Sequence, residues 1–135
     1  MPVRSLNSSV LKWPRRETVE VALRQWAEAI TTKNPTIAAV GYFGSYSRNQ
    51  AGVGSDLDVI ILLQSDRHEL AQRPFHERTA TFNFGSIPVP VDAIAYTPEE
   101  WALLETVSPR FYHTLTQETV WVWREIASQS SFEQG

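Results

Sequence analysis

Two aspartates, Asp56 and Asp58, are separated by one residue at the head of the apolar run 59–63. Alternate side chains of a β-strand share a face, so we expect both carboxylates on one side, roughly 6–7 Å apart along the strand. Neighbouring carboxylates repel each other and lose hydration on burial unless a cation lies between them. Mg²⁺ takes oxygen ligands, a few from protein carboxylates and others from substrate phosphates. The pair therefore predicts a metal–nucleotide site.

A turn of small residues precedes this pair. Gly44 and Ser45 follow the apolar run 37–43, and nine residues separate Ser45 from Ser55. We expect a short helix or helical turn over 45–50, whose free N–H groups and positive end would attract phosphate. Gly44 lets phosphate approach the backbone because it has no Cβ, and Ser45 adds a hydroxyl donor. The structural alternative for both residues is a helix cap without a ligand.

Two further polar residues belong to the same loop. Arg48 lies one helical turn on, where its guanidinium could bind phosphate oxygens or pair instead with Asp56 or a surface carboxylate. Ser55 is expected to contact phosphate or to orient the loop. Each signal is weak alone, because Gly-Ser marks any turn and many strands end in two acidic residues. Their combination between two apolar runs is a much stronger indication of function.

These residues resemble the nucleotidyltransferase superfamily of DNA polymerase beta, and within it the small, single-domain minimal nucleotidyltransferases (MNT). The pattern of that family is a strand, Gly-Ser, a short helix with Ala-Arg-Gly, then Ser-Asp-x-Asp opening the next strand. The matching residues, at ungapped spacing, are Gly44, Ser45, Arg48, Ser55, Asp56 and Asp58. The resemblance extends over about residues 37–123.

The family also carries a third carboxylate on a later strand, and Asp92, within the apolar segment 89–96, matches it. The alternative is a strand-end carboxylate that caps a neighbouring amide, although apolar flanks make that costly without a positive partner. Two positions depart from the family pattern: Asn49 replaces its glycine and Ser47 its usual alanine. Asparagine tolerates positive φ better than other non-glycine residues, so we interpret the chain as an active copy.

The resemblance implies nucleotidyl transfer with two divalent ions, Mg²⁺ or Mn²⁺, which clamp the attacking oxygen and the leaving pyrophosphate. Asp56 and Asp58 would bind both ions. Asp92 would complete the site of the catalytic ion and could itself take the proton of the acceptor hydroxyl. The expected reaction transfers a nucleoside monophosphate, AMP from ATP, to a hydroxyl group.

The resemblance also implies a protein partner. Minimal members commonly pair with a HEPN-domain protein encoded beside them and act as antitoxins, and some modify a tyrosine of that partner. This chain is too short for a second, acceptor-binding domain, so the acceptor surface is expected from a partner or a homo-oligomer. Two alternatives stay open. One is a non-catalytic MNT-fold module that neutralises a partner by contact, and the other is a small-molecule nucleotidyltransferase, whose acceptor pocket this length does not offer.

The overall composition is that of one soluble domain: 135 residues, 42% hydrophobic and 20% charged. The net charge is −3 and the chain has no Lys/Arg block, so binding to a long nucleic acid is not expected. The absence of cysteine excludes disulfides and thiolate metal sites, and the three histidines lack metal-ligand spacing. Without a signal-peptide core or an apolar stretch near 18 residues, we expect a cytoplasmic protein that does not enter membranes.

Hydrophobic patterning places the secondary structure. Val19, Leu23, Trp26 and Ile30 form the apolar stripe of a helix over 15–32. Thr97-Pro98-Glu99-Glu100 predicts a capped helix start, with that helix running to 107 and another over 109–117. Strands are expected over 37–43, 56–63, 78–84, 87–96 and 118–123, and a loop or short helix over 64–77. In the last strand Trp121 and Trp123 should face the same side, in the core or, if exposed, at a protein interface.

Together these elements predict an α/β (α+β) nucleotidyltransferase fold, a mixed β-sheet with helices packed on one side. The cleft should lie along the edge that carries Asp56, Asp58 and Asp92. We expect a single domain over 15–127, an extended arm over 1–14 and a disordered tail over 128–135.

Overall fold

The computed structural model describes residues 13–125, so most of the predicted arm and the whole predicted tail lie outside the described residues. The elements in chain order are α1 (Arg16–Lys33), β1 (Ile37–Phe43), β2 (Leu57–Leu63), α2 (Glu69–Gln72), a 3₁₀ turn (Phe75–Glu77), β3 (Val91–Tyr96), α3 (Pro98–Val107), α4 (Pro109–Glu118) and β4 (Val120–Arg124). Apart from the segment 78–84, discussed below, the predicted helices and strands agree with these bounds to within a few residues.

The four strands form one sheet in the order β3-β2-β1-β4. The central strand β1 pairs antiparallel with both β2 and β4, whereas β2 and β3 run parallel. The prolines that precede β3 suit its position at the edge of the sheet, where a missing N–H is tolerated. The sheet is therefore mixed and the protein belongs to the α+β class, as the sequence predicts.

Helices cover both faces of this sheet, which corrects the expectation of helices on one side. Val59 and Ile61 of β2 pack in the same cluster as Leu23 of α1. Ile60 and Leu62 point the other way and join a second cluster with Leu104 of α3 and Leu115 of α4. A strand that is buried on both faces has apolar residues at successive positions without alternation, and the sequences of β1 and β2 show this pattern. The unbroken runs were thus a sign of helices on both faces.

The pairing of β4 with the central strand depends on Gly41. A Cβ at that position would lie 2.7 Å from Thr119 Cγ2 and 2.9 Å from Trp121 Cε3, so only glycine allows this approach. The register shifts by one residue beside it, because Gly41 pairs with Trp121 while Val40 pairs with Trp123. This bulge sends Trp121 and Trp123 to opposite faces, each partly buried against a different core cluster. The prediction that both face the same side is wrong.

The segment 78–84 forms turns rather than the predicted strand. Its alternation of apolar and polar residues has another cause. The rings of Phe82 and Phe84 lie 5.9 and 4.6 Å from the ring of Trp26, so both side chains cover the same part of α1. The earlier segment 64–77, predicted as a loop or short helix, contains the single turn α2 and the 3₁₀ turn.

A buried arginine joins this irregular region to β3 and α3. Arg78 is 5% exposed and donates two hydrogen bonds to the carboxylate of Glu100. It also donates to the carbonyls of Ala95 and Ala71, at 3.0 and 3.1 Å. Glu100 additionally closes the predicted capping box of α3 by accepting from the Thr97 amide. The end of β3 is therefore held by a fully hydrogen-bonded charge pair.

Candidate active site

Three strand ends meet where the sequence places its aspartates. In the register of the sheet Asp58 lies beside Phe43, the last residue of β1, and on its other side beside Asp92 of β3. Paired residues of neighbouring strands lie about 5 Å apart, so the two aspartates occupy adjacent positions on one face. Asp56 comes just before β2. The structure thus brings together the three carboxylates that the sequence singled out.

The central carboxylate of this group is electrostatically strained. Burial raises the pKa of Asp58, and the negative charges of Asp92 and Asp56 raise that pKa further, while Arg48 lowers it. Asp56 and Asp92 are themselves exposed to solvent. Negative charge is therefore concentrated at the half-buried Asp58, and a cation bound there would relieve it.

The side chain of Asp58 lies directly against Gly44. A Cβ at position 44 would fall 2.2 Å from Asp58 Oδ2, which no real side chain could tolerate. Gly44 also has a φ of 77°, in the left-handed region that favours glycine. The glycine is required both by its own backbone and by the carboxylate, so the loop 44–55 and the acidic group are in contact.

Residues 44–49 form successive turns rather than a regular helix, so the helical-turn alternative holds. The amides of Arg48 and Gln50 donate to the carbonyls of Gly44 and Ser45, at 3.1 and 2.8 Å. Asn49 has a φ of 59°, the conformation for which asparagine is the best substitute for the family glycine. Any attraction of this loop for phosphate rests on its own N–H groups rather than on a helix dipole.

Two serines of the loop, Ser47 and Ser55, make hydrogen bonds within the loop. Ser55 Oγ accepts a hydrogen bond from the Gly52 amide at 2.9 Å, and the Ser55 amide donates to the Gly52 carbonyl. Ser55 therefore orients the loop, one of its two predicted roles. Ser47 Oγ donates to the Gly44 carbonyl at 2.8 Å, and Ser45 lies half-buried at the start of the turns.

Arg48 forms an ion pair that the sequence did not identify. Its Nη1 lies 3.0 Å from Oε2 of Glu118, the last residue of α4, and its Nε donates to Gln50 Oε1. Of the predicted carboxylate partners, the surface carboxylate is the one realised, and it is not Asp56. Glu118 is 70 residues away in the chain, and no local pattern could have indicated the contact.

Sequence reasoning also missed the residue that anchors the loop. Tyr46 is 1% exposed, and its hydroxyl accepts a hydrogen bond from Trp13 Nε1 at 2.9 Å. Both side chains line a cavity of about 420 Å³ that lies between the loop and the start of α1. The aspartates are not among its lining residues, so this cavity is distinct from the acidic group. The sequence did contain a signal for this anchor, because Tyr46 is an aromatic residue inside a loop rich in glycine and serine.

The acidic group supplies only part of the ligand set of a divalent cation. Among residues 13–125 no three acidic, histidine or cysteine side chains are close enough to hold a metal ion as they stand. The chemistry of the donors nevertheless fits Mg²⁺ or Mn²⁺, because all are carboxylates and the negative charge at Asp58 is only partly balanced by Arg48. Substrate phosphates and water would have to complete the ligand set.

The family model described as a nucleotidyltransferase domain matches residues 23–122. This chain belongs to that family. The match begins within α1 and ends within β4, so it includes the loop 44–55 and all three aspartates. The resemblance to nucleotidyltransferases drawn from the motif is therefore confirmed. No curated protein matches the chain.

Two solved structures share the nucleotidyltransferase fold. The first is a proposed nucleotidyltransferase from Sulfolobus solfataricus, with 16% identity, a TM-score of 0.54, and coverage of 85% of this chain and 93% of that one. The second is a toxin–antitoxin structure with AMP-PNP, with 16% identity, a TM-score of 0.50, and coverage of 82% of this chain and 87% of that one.

Within residues 13–125, no helix of this nucleotidyltransferase domain has the length and apolarity to cross a membrane.

Proposed function

We propose that this protein transfers AMP from ATP to a hydroxyl group of a partner protein, in a reaction that depends on Mg²⁺ or Mn²⁺. One observation carries the proposal: the carboxylate of Asp58 lies against Gly44 of the phosphate loop and beside Asp92 in the sheet. A loop suited to phosphate and a strained acidic group are thus in contact. The domain family supports the class of reaction, and this contact supports a location at the acidic group.

Different residues of the site would bind the phosphates and the divalent ion of the nucleotide. Gly44 and Ser45 would contact the terminal phosphates through backbone N–H groups and a hydroxyl. Arg48, on the same loop, would add a guanidinium for phosphate oxygens. Asp56 and Asp58 would hold the divalent ion that accompanies the nucleotide. Ser55 would keep the loop closed through its hydrogen bonds to Gly52.

The acceptor side of the reaction would fall to Asp92. It is exposed at the start of the edge strand β3, where an incoming hydroxyl could reach it. Its carboxylate would hold a proton of the acceptor or orient the hydroxyl. A bound divalent ion would supply charge neutralisation at the phosphates and a lower pKa for the acceptor hydroxyl.

We propose a HEPN-type helical protein as the partner. A solved toxin–antitoxin structure with AMP-PNP has the same fold, which supports both a protein partner and an adenine nucleotide. Neutralisation of the partner by contact alone is the second candidate. The strained acidic group favours catalysis, because a purely structural module gains nothing from adjacent carboxylates that raise the pKa of Asp58.

Isothermal titration calorimetry with Mg-ATP tests the nucleotide site. We expect Asp58→Asn to weaken Mg-ATP binding at least about tenfold, because even outer-shell changes at metal sites cost that much. The unfolding free energy of the apo protein should stay the same or rise, since the variant removes a charge that its neighbours disfavour. Because the pKa of Asp58 is raised, the contribution of this carboxyl to apo stability should grow as the pH falls through that pKa, and the variant should lack this contribution.

Glu105→Gln is the matched control, because it removes one exposed carboxylate from α3 and should leave Mg-ATP affinity unchanged. Unchanged affinity in the Asp58→Asn protein would refute the assignment of Asp58. Equal losses in both variants would point to net charge alone.

A further inference from the structure

We propose that Glu118 competes with the nucleotide for Arg48 and thereby lowers the affinity of the resting protein for triphosphate. The inference rests on the proposed function, because it concerns the same nucleotide site. It assigns a role to a residue outside the motif, on an element that the motif does not include. In the nucleotide-free protein Arg48 would pair with Glu118, and on binding it would exchange this carboxylate for phosphate oxygens.

The contact itself is well defined. Arg48 Nη1 lies 3.0 Å from Glu118 Oε2, and Arg48 Nε donates to Gln50 Oε1 at 3.0 Å. The side chains of Arg48 and Glu118 are 44% and 26% exposed. The guanidinium is thus occupied on two sides yet open to solvent, so a ligand could displace its partners without unfolding anything.

The position of Arg48 places this exchange at the acidic group. The carboxylate of Asp58 lies against Gly44, and the amide of Arg48 donates to the carbonyl of the same glycine at 3.1 Å. The guanidinium of Arg48 therefore lies near the place where the proposed site would hold phosphate. While Glu118 holds it, one positive charge of the loop is neutralised.

Glu118 is held in place by the helix that carries it. Leu115, one turn earlier in α4, is fully buried in the second core cluster. Phe111 of the same helix packs edge-on against Phe43 at the end of β1, with ring centroids 5.9 Å apart. The carboxylate is therefore presented by a packed element, whereas Arg48 lies on an exposed turn. When the pair separates, we expect the arginine to move.

The strengths of the two interactions favour exchange. Exposed ion pairs contribute little, in the range that corresponds to about 1.5- to 5-fold in an equilibrium constant. Guanidinium–phosphate contacts can be bidentate and involve a larger charge. A triphosphate should therefore displace Glu118 from Arg48. Because the ion pair has to break first, nucleotide affinity should be lower by about the 1.5- to 5-fold that the pair contributes. Removing Glu118 should strengthen binding, which is unusual for a residue near a ligand site.

The test is a double-mutant cycle measured by calorimetry with Mg-ATP on the wild type, Glu118→Gln, Arg48→Ala and the double variant. We expect Glu118→Gln to tighten binding about 1.5- to 5-fold with Arg48 present and to have no effect with Ala at 48. Adenosine, which has no phosphate, should bind the wild type and the Glu118→Gln variant equally. Glu118→Ala, which keeps no hydrogen bond to Arg48, should tighten binding at least as much.

The outcomes separate the two hypotheses. Weaker or unchanged binding in both Glu118 variants would overturn the inference while leaving the nucleotide site intact. The same tightening with and without Arg48 would also overturn it, because the effect would then be long-range charge. If no variant binds Mg-ATP, the proposed function fails and the inference fails with it.

Discussion

Two of the loop residues with positive φ, Gly44 and Asn49, show how much of a motif depends on backbone conformation. Gly44 needs the absence of a Cβ, because Asp58 occupies that space. Asn49 needs only the left-handed conformation, which its φ of 59° shows it adopts. The first position therefore tolerates no other residue, whereas the second accepts a residue that the family pattern does not contain.

The stability of two variants at Asn49 should separate these requirements. Asn49→Gly should leave the unfolding free energy within about 0.5 kcal/mol, because glycine adopts positive φ freely. Asn49→Ala should lose about 1 kcal/mol, since a Cβ disfavours the left-handed region. Urea unfolding measures both. Equal stability of the alanine variant and the wild type would show that this turn does not require the left-handed conformation.

Asp92 should act on the rate rather than on nucleotide binding. It is exposed at the start of the edge strand β3, whereas Asp58 is half-buried against Gly44 of the loop 44–55. In steady-state assays we expect Asp92→Asn to lower kcat by about 100-fold or more, because general-base catalysis contributes on that scale. The affinity for Mg-ATP measured by calorimetry should change less than about threefold. Full turnover in this variant would show that Asp92 is structural.

The sequence predicted the types of these residues better than their contacts. Asp56 and Asp58 could be singled out because they stand at the head of an apolar run, where strand period fixes the face. Asp92, within the apolar segment 89–96, was singled out by the resemblance, which implies a third carboxylate on a later strand. The pair of Arg48 with Glu118 could not be found, because 70 residues separate them and an exposed arginine has many carboxylates to choose from. Long-range polar contacts leave no periodic signal in a sequence.

For the strands and helices too, local patterns could be predicted from the sequence, whereas features that depend on distant contacts could not. Runs such as 37–43 and 59–63 are apolar throughout, so their strands could be predicted, but their burial on both faces was not inferred from them. The segment 78–84 alternates because two phenylalanines cover Trp26, which a period of two cannot distinguish from a strand. The bulge in β4 likewise depends on the close approach to Gly41.

The pair of Arg78 and Glu100 should be a main support of the region between β2 and α3. Burial alone would raise the pKa of Glu100, but the hydrogen bonds from Arg78 and Thr97 outweigh it and leave the pKa lowered. We expect Glu100→Gln to lower the unfolding free energy by about 1–3 kcal/mol at pH 7. The variant leaves the charge of Arg78, which is 5% exposed, without its anionic partner. Chemical denaturation measures this difference.

The pH dependence gives a second readout for this pair. A lowered carboxyl pKa stabilises the fold above the unfolded value, and this contribution is lost as the pH falls through the folded value. The difference between wild type and Glu100→Gln should therefore shrink below the ordinary pKa of 4.5. Glu99→Gln is the control, because the side chain of Glu99 is exposed and its loss should cost no more than a few tenths of a kcal/mol. Equal costs at positions 99 and 100 would contradict the role of the pair.

At the scale of the whole molecule, residues 13–125 carry the proposed donor site and include no second domain that could hold an acceptor. The described residues form one four-stranded sheet with its helices, and the acidic group lies at the strand ends beside the edge strand β3. Proximity can contribute about 7–11 kcal/mol to a transfer reaction, so a donor domain without a docked acceptor should be nearly inactive. Turnover with ATP and free small alcohols should be slow or absent.

Adding the partner should change this. We expect mass spectrometry to find one or more AMP adducts on tyrosine, serine or threonine of the protein encoded beside this chain, after incubation with ATP and Mg²⁺ or Mn²⁺. The Asp56→Asn/Asp58→Asn double variant should still bind that protein but leave it unmodified, because the carboxylates serve transfer and not docking. A stable complex without an adduct would favour neutralisation by contact. Rapid modification of an aminoglycoside or a tRNA would instead overturn the protein acceptor, since neither requires a partner docked at the edge of β3.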